Sequence, residues 1–327
     1  MSDAPHPFAT LTPDRVLDAI DATGLRTDGR LLALNSYENR VYQAGLEEGG
    51  FIVAKFYRPD RWSDAAIREE HAFTRALAEA EIPAVPPLLR ADGDSLTHAE
   101  GFRVAVFPRR GGRSLELNDP EVLEWLGRFI GRIHAVGATA AFRERLTLDV
   151  ATWGEAPSAF VLASPHLPSD LCEAYRGAVS AALEGVHACF ERAGDITRLR
   201  LHGDCHPGNV MWTDAGPHFV DFDDACTGPA VQDLWMLLSG ERGEMTRQLA
   251  DLVAGYEDFR EFNPREVDLI EALRTLRLIH HAAWLARRWD DPAFPTAFPW
   301  FNTRGWWEEH IGNLRDQLPR MAEPWRF

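Results

Sequence analysis

The sequence predicts an α+β chain in two parts: a small strand-rich part at residues 1–108 and a larger, mainly helical part at 109–327. Three observations carry this. Residues 31–59 and 85–107 read as short strands, with apolar side chains at the two-residue period of a pleated surface. After residue 118 the apolar positions recur every three and four residues, the period of a helix. Between the two patterns lies "PRRGGR" (108–113), whose proline and glycines interrupt both.

The elements follow in order. "TPDRVLDAIDATG" (12–24) predicts a short helix, with Thr12 as cap, Pro13 in the first turn and Gly24 at the end. "RVYQAGL" and "FIVAKFY" predict a hairpin turning at "EEGG" (47–50). On its second strand Phe51, Val53, Lys55 and Tyr57 share one face, so a lysine stands among apolar residues. An edge strand with an exposed lysine would explain it equally well. "SDAAIREEHAFTRALAEAEIP" predicts a helix capped by Ser63 or Asp64, its apolar stripe at Ile67, Phe73 or Thr74, and Leu77, with Glu70 beside that stripe. "VPPLLRADGDSLTHAEGFRVAVFP" returns as strands with a turn at "ADGD". Beyond Asn118, helices are predicted at "DPEVLEWLGRFIGRIHAVG", "SDLCEAYRGAVSAALEGVHACFERAG", from "VQDLWMLLSG", and across "PREVDLIEALRTLRLIHHAAWLARRWDDP".

Composition excludes several functions. The 327 residues, 45% hydrophobic, are enough for a substantial core and favour two domains over one. A net charge of −16 makes a poor nonspecific ligand for nucleic acid or an anionic membrane. No apolar run approaches the ~20 residues that span a bilayer. "MSDAPHPFATLTPD" lacks the basic and apolar regions of a signal peptide, so a cytoplasmic protein is expected. The four cysteines form no CxxC pair and read as reduced thiols. No internal repeat suggests a solenoid, and a monomer is expected.

The chemistry concentrates in "LHGDCHPGNVMW" (201–212) and "HFVDFDDACTGPAVQDLW" (218–235). Asp204 and Asn209 lie five apart, and Asp221 follows beyond a hairpin that turns at "TDAG". A loop carboxylate, an amide five residues on and a carboxylate past a hairpin match the layout of phosphoryl transfer. There one Asp accepts the proton of the attacking hydroxyl, while the Asn and the later Asp hold Mg²⁺ against nucleotide phosphates. Hard oxygen ligands, few in number, suit that ion.

"HGDCHPGN" and "VDFDD" resemble the catalytic and metal motifs of the aminoglycoside phosphotransferase and choline kinase-like family, which shares the protein-kinase fold. "LNSYENRVYQ", "VAKFYRPDRW", "GPAVQDLWMLL" and "DPAFPTAFPW" extend the resemblance over nearly the whole chain, toward that family's bacterial stress response kinases. The resemblance implies a two-lobed kinase-like fold and an ATP- and Mg²⁺-dependent serine/threonine kinase, with itself among its protein substrates. It implies Asp204 as the base, and Asn209 and Asp221 as metal ligands. It implies Lys55 on the nucleotide phosphates with Glu70 as its ion-pair partner, and Val53 over the adenine. "NSYEN" (35–39) would replace a glycine-rich loop, with Ser36 contacting phosphate. Asp233 matches a structural aspartate that braces the catalytic loop. Gly203 stands where many regulated kinases carry Arg, which argues against control by activation-loop phosphorylation.

Other residues carry plainer expectations. His202 is expected to order its loop, and His206 is left open. Asp223 either supports the metal ligands or holds a second metal, or is a solvated acid, and Asp224 is solvated or structural. The tryptophans at 235, 284, 289, 306 and 307 read mostly as core. Cys205 is an inert loop thiol, or a redox-sensitive one if Lys55 and Mg²⁺ favour its thiolate. Arg287 and Arg288 belong to a charged helix face, or receive an acidic protein segment. Three alternatives remain. A small-molecule hydroxyl kinase acting on an aminoglycoside, choline or homoserine uses the same core chemistry. A metal-dependent hydrolase would gather His202, Asp204, His206, Asp221 and Asp223. A catalytically silent nucleotide-binding protein would be expected to lack some of these core residues.

Overall fold

The computed structural model describes residues 6–325 except 118 and 215. The first five residues of the expected leaderless N-terminus, Asn118 after the linker and Ala215 of the "TDAG" turn lie outside the described residues.

The chain begins with helix α1 (Pro13–Asp21), strands β1 (Thr27–Leu34), β2 (Arg40–Leu46) and β3 (Phe51–Tyr57), helix α2 (Asp64–Glu79), and strands β4 (Thr97–Ala99) and β5 (Phe102–Pro108). Helices α3 (Pro120–Gly137), α4 (Ala156–Ala163) and α5 (Cys172–Ala193) follow, then strands β6 (Arg198–Leu201), β7 (Val210–Thr213), β8 (Gly216–Phe219) and β9 (Cys226–Pro229). Helices α6 (Gln232–Trp235), α7 (Arg242–Tyr256), α8 (Ile270–Arg288), α9 (Ala293–Ala297) and α10 (Arg304–Ala322) complete the chain. It divides into two compact units, and neither is continuous in sequence. The first holds residues 1–115, 142–145 and 207–224; the second holds 116–141, 146–206 and 225–327.

The first unit is built on an antiparallel sheet in the order β1-β2-β3-β5-β4. The two-residue period sorts β3 as the sequence predicts. Ile52, Ala54 and Phe56 pack with Val104 and Val106 against Val16, Ala19 and Ile20 of α1. Tyr57 turns to the other face, with Ala105 and with Ile67 of α2. The α2 cap is Ser63, whose Oγ accepts from the Ala66 N–H at 3.1 Å. Ile67, Glu70, Phe73, Thr74 and Leu77 are all buried along α2.

The expected turn at "ADGD" is present, with the Arg90 N–H donating to the Asp94 carbonyl at 2.8 Å, but the strands pair across a later turn at Glu100–Gly101, φ 53° and 82°. Pro86 and Pro87 have no N–H to donate to a ladder. The Asp94 carboxylate takes the N–H groups of Ser95 and Leu96, which closes a local turn ahead of β4.

In the second unit, α3 and α7 approach closely. A Cβ at Gly127 would lie 1.9 Å from the Leu252 carbonyl oxygen, and one at Gly255 would lie 1.9 Å from that of Glu124. A second core gathers α5, α8 and α10 around Tyr175, Ile279, Phe294, Phe301 and Trp307. The predicted helices at 120–137, 172–193 and 270–288 are present; α4, α9 and α10 are additional to those expected. No helix among the described residues is long and apolar enough to cross a membrane. All four cysteines are free thiols.

Candidate active site

In the first unit, the β7–β8 hairpin pairs Val210 with Phe219, which brings Asn209 and Val220 to its open end. The Asn209 carbonyl accepts the Val220 N–H at 3.0 Å. Phe219 donates its N–H to the Pro83 carbonyl at 2.8 Å, and Arg113 and Trp212 exchange backbone hydrogen bonds at 2.9 Å. Of the two expected metal ligands, Asn209 therefore belongs to the paired base of the hairpin and Asp221 lies one residue beyond it. Asp221 has a left-handed backbone, φ 59°, and its side chain is 57% exposed. The next residue, Phe222, points inward onto Phe73 of α2, with ring centroids 6.0 Å apart. Loop 221–223 thus exposes one carboxylate and buries the residues after it.

Asp223 is the buried member, and it resolves one open expectation. Its side chain is 5% exposed and ion-paired with Lys55 Nζ at 3.0 Å. Arg61 also pairs with it, and reaches Asp224 at 2.5 Å. Asn39 Nδ2 donates to Asp223 Oδ2 at 3.1 Å, and Asn39 Oδ1 accepts the Arg58 N–H at 3.0 Å. Arg145 donates to the Asp223 backbone carbonyl. Burial opposes ionisation of Asp223, but Arg61, Lys55 and Arg145 outweigh it and hold the carboxyl well below the usual carboxylate range. Asp223 therefore ties loop 35–39 to loop 220–224. Arg61 and Asn39 emerge as structural partners that the sequence alone does not reveal.

Lys55 is buried on the central strand β3, not exposed on an edge strand, but its partner differs from the one expected. Nζ donates to Asp221 Oδ1 at 3.0 Å and pairs with Asp223; no ion pair to Glu70 forms within 4.0 Å. Burial works against the ammonium, and Asp221, Asp223 and Glu70 together raise its pKa well above the ordinary value. Two nearby carboxylates outcompete a single one for the same cation. Glu70 is 2% exposed and its Oε2 has no hydrogen-bond partner. Burial pushes it up from 4.5 to about 7 against the pull of Lys55.

A stability test follows from that shift. A carboxyl with a raised folded-state pKa binds protons more tightly folded than unfolded, so its contribution is full below pH 4.5 and is lost as pH rises through about 7. Glu70→Gln removes this dependence. In denaturant titrations the variant should gain about 2–3 kcal/mol over the parent between pH 5 and pH 8. An equal difference at both pH values would contradict the buried, unpaired state of Glu70.

Ser36 and Val53 complete the expected nucleotide set. Ser36 Oγ accepts the Val41 N–H at 3.1 Å, so the hydroxyl shapes its own loop. Val53 is half-buried on β3, opposite Gln43 and Phe107 in the sheet register.

The expected base lies in the second unit, on the loop after β6. That strand pairs with β9. Asp233 at the start of α6 accepts the N–H groups of His202 and Gly203, each at 2.8 Å. It also lies 3.0 Å from His134 Nε2 of α3, whose Nδ1 is 3.0 Å from Tyr256 Oη of α7. Gln232 Nε2 donates to the Gly203 carbonyl at 2.9 Å. Gly203 has φ 85°, a backbone that favours glycine. The bracing by Asp233 is as expected, and His202 is fully buried with Nδ1 facing the Asp204 N–H at 3.3 Å.

Asp204 is 21% exposed. Oδ1 accepts from Arg277 Nη1 at 2.7 Å, and Oδ2 lies 3.5 Å from His206 Nε2. Burial opposes the charge, but the hydrogen bond from His206 and the charge and hydrogen bond of Arg277 hold Asp204 below the usual carboxylate range. Arg277 was not among the expected site residues. Its only sequence signal is its place on α8, one and two turns before His281 and Trp284.

One open alternative narrows. Burial, with Asp233 and Asp204 adding to it, pushes the Cys205 thiol well above its ordinary pKa, so the thiolate needed for redox sensitivity is disfavoured. The Arg287 guanidinium lies 4.6 Å over the Phe160 ring, where burial and the neighbouring Arg288 lower its pKa, while the residue stays exposed. Among the described residues no three His, Cys, Asp or Glu side chains gather as a possible metal site.

The phosphotransferase enzyme family (APH) matches residues 30–270. The chain belongs to this family. It is 42% identical over 324 residues, 99% of this chain and 98% of the relative, to "Stress response kinase A" of Salmonella choleraesuis (strain SC-B67). Over the same span it is 42% identical to "Serine/threonine protein kinase RdoA" of Salmonella typhimurium. Among solved structures it is similar to an amicoumacin kinase in complex with AMP-PNP and Ca²⁺, with TM-score 0.72, 18% identity and 92% of each chain covered. A microcompartment-associated aminopropanol kinase gives TM-score 0.70 and 18% identity over 94% of this chain and 95% of that one. This phosphotransferase thus has the α+β kinase-type fold, with a sheet-based N-terminal part and a helical C-terminal part.

Proposed function

We propose that the chain is an ATP- and Mg²⁺-dependent serine/threonine protein kinase, cytoplasmic and monomeric, with Asp204 as its catalytic base. The observation that carries the acceptor class is the 42% identity, over 99% of the chain, to a relative named as a serine/threonine protein kinase. The site chemistry supports phosphoryl transfer as such. Asn209 and Asp221 supply one amide oxygen and one exposed carboxylate from the same end of a hairpin, a set that fits an ion keeping most of its water and taking phosphate oxygens. Bound there, Mg²⁺ would neutralise charge on the nucleotide phosphates. Lys55 and the backbone of loop 35–39 hold those phosphates, and Val53 covers the base.

Asp204 receives the acceptor hydroxyl on Oδ2. With its carboxyl held ionised it is a weak base, and a loose phosphoryl-transfer transition state tolerates this, because the hydroxyl proton leaves late. Its first task is to orient the hydroxyl oxygen. The proton passes to the carboxylate as the new P–O bond forms and the bond to ADP breaks.

A small-molecule acceptor is the second reading, favoured by the amicoumacin and aminopropanol kinases among the structural neighbours. One assay separates the two. Labelled ATP is offered with the full chain alone, with a histone, and with choline, homoserine, aminopropanol and an aminoglycoside. Label in phosphoserine or phosphothreonine of the chain and of the histone is the expected result. Efficient turnover of a small alcohol with no phosphoamino acid would replace it.

A further inference from the structure

On the proposed function, loop 35–39 between β1 and β2 meets the nucleotide phosphates. It contains no glycine, the residue that lets a backbone approach an anion closely, and none of its residues has a positive φ. Arginine side chains shape it instead. Arg58, just after β3, donates from Nε to the Glu38 carbonyl at 2.9 Å and from Nη2 to the Tyr37 carbonyl at 3.2 Å. Arg40, the first residue of β2, donates from Nη1 to the Tyr37 carbonyl at 3.0 Å and to the Asn39 carbonyl at 3.2 Å. Three consecutive carbonyls thus end on two guanidiniums.

Both guanidiniums are themselves held. Arg58 is 5% exposed, and Arg40 is half-buried. Each lies over the ring of Phe8, at 4.4 Å for Arg40 and 5.4 Å for Arg58. Phe8 is buried and stacks on Phe102 of β5, with centroids 6.0 Å apart. Cations on the face of a fixed ring are restrained in turn. The Arg58 backbone is anchored too, since its N–H donates to Asn39 Oδ1 at 3.0 Å.

Peptide planarity gives the consequence. In a trans peptide the N–H points away from the carbonyl it follows. Turning the Tyr37 and Glu38 carbonyls toward Arg58 therefore turns the N–H groups of Glu38 and Asn39 the other way. Successive N–H groups on one side of a turn form a seat for an anion. The Glu38 carboxylate would repel phosphate, but it pairs with Arg58 Nε at 2.9 Å and is 11% exposed. One side chain thus orients the loop's dipoles and neutralises its acid.

We propose that Arg58, assisted by Arg40, is a positioning residue for the nucleotide phosphates. The two guanidiniums hold the carbonyls of residues 37–39 so that the amide groups of the loop face a diphosphate. The proposal rests on loop 35–39 and Lys55 being the phosphate site.

The test measures binding of MgADP and of adenosine to the full chain by calorimetry. It compares the parent with Arg58→Met, Arg58→Lys, Arg40→Met and Lys55→Met, with thermal melting of each. Adenosine keeps the base and lacks the phosphates, so it reports on the rest of the site. Arg58→Met should weaken MgADP by ~10–10²-fold and adenosine by about twofold or less. Arg58→Lys, a point charge in place of a fork, should fall between Arg58→Met and the parent. Arg40→Met should weaken MgADP by ~3–10-fold, and it carries the test if Arg58→Met does not fold. Parental MgADP affinity in the folded methionine variant, an equal loss for MgADP and adenosine, or full parental affinity in Arg58→Lys would overturn the proposal. Lys55→Met separates the two levels: if it leaves MgADP binding unchanged, the phosphate-site reading fails first.

Discussion

Asp204→Asn is expected to lower phosphoryl transfer by ~10²–10⁴-fold while MgATP binding stays near the parental value. The substitution keeps the shape of the side chain. Its carbonyl oxygen can still accept from Arg277, so the loop held by Asp233 and Gln232 has no reason to move. What is lost is the negative charge that takes the hydroxyl proton. The loss also leaves Arg277 uncompensated, but that side chain is 39% exposed and water can solvate it, so the stability change should be small. Single-turnover transfer and calorimetric titration with MgATP measure the two halves separately. Transfer close to the parental rate would remove Asp204 from the mechanism. Loss of nucleotide binding together with transfer would mean that the loop had collapsed.

Asp233→Ala should destabilise the second unit by about 2–5 kcal/mol and abolish transfer. The carboxylate is 1% exposed and is the acceptor for two adjacent backbone N–H groups, those of His202 and Gly203. Truncation leaves both donors buried without an acceptor, at about 1–3 kcal/mol each. It also removes the partner of His134 Nε2 on α3. Gly203 relies on this support, since its positive φ places the peptide where a flexible glycine would otherwise sample many states. Urea unfolding gives the stability and the transfer assay gives the activity. A variant that melts like the parent and keeps its rate would show that the brace is dispensable.

These two aspartates differ in how they can be read. Asp204 sits in a run where His202, Asp204, His206 and Asn209 follow within eight residues, and such spacing is visible in one dimension. The paired ends of the β7–β8 hairpin, the caps of α1 and α2 and the two faces of β3 are equally local. Each depends on neighbours a few residues away, so periodicity and turn chemistry predict them. The "ADGD" turn was legible too, but not that the strand pairing waits until Glu100–Gly101. Two prolines upstream remove the donors that an earlier ladder would need.

Partner choice is different. Lys55 is legible as a buried cation in want of an anion, and Glu70 is the nearby candidate. The structure pairs Lys55 instead with Asp221 and Asp223, at a sequence distance of 166 residues for the first. Arg277 reaches Asp204 across 73 residues, whereas Arg287, on the same helix, packs on Phe160. By itself the sequence determined the elements, the faces of the strands and the cluster of chemical groups around 202–224. Tertiary structure alone decided that residues 207–224 join the first unit and which carboxylate answers each cation. The reason is physical: local geometry follows from short-range sterics and backbone hydrogen bonding. A buried charge, by contrast, takes whichever opposite charges the packing brings within reach, and its position in the chain does not say which these are.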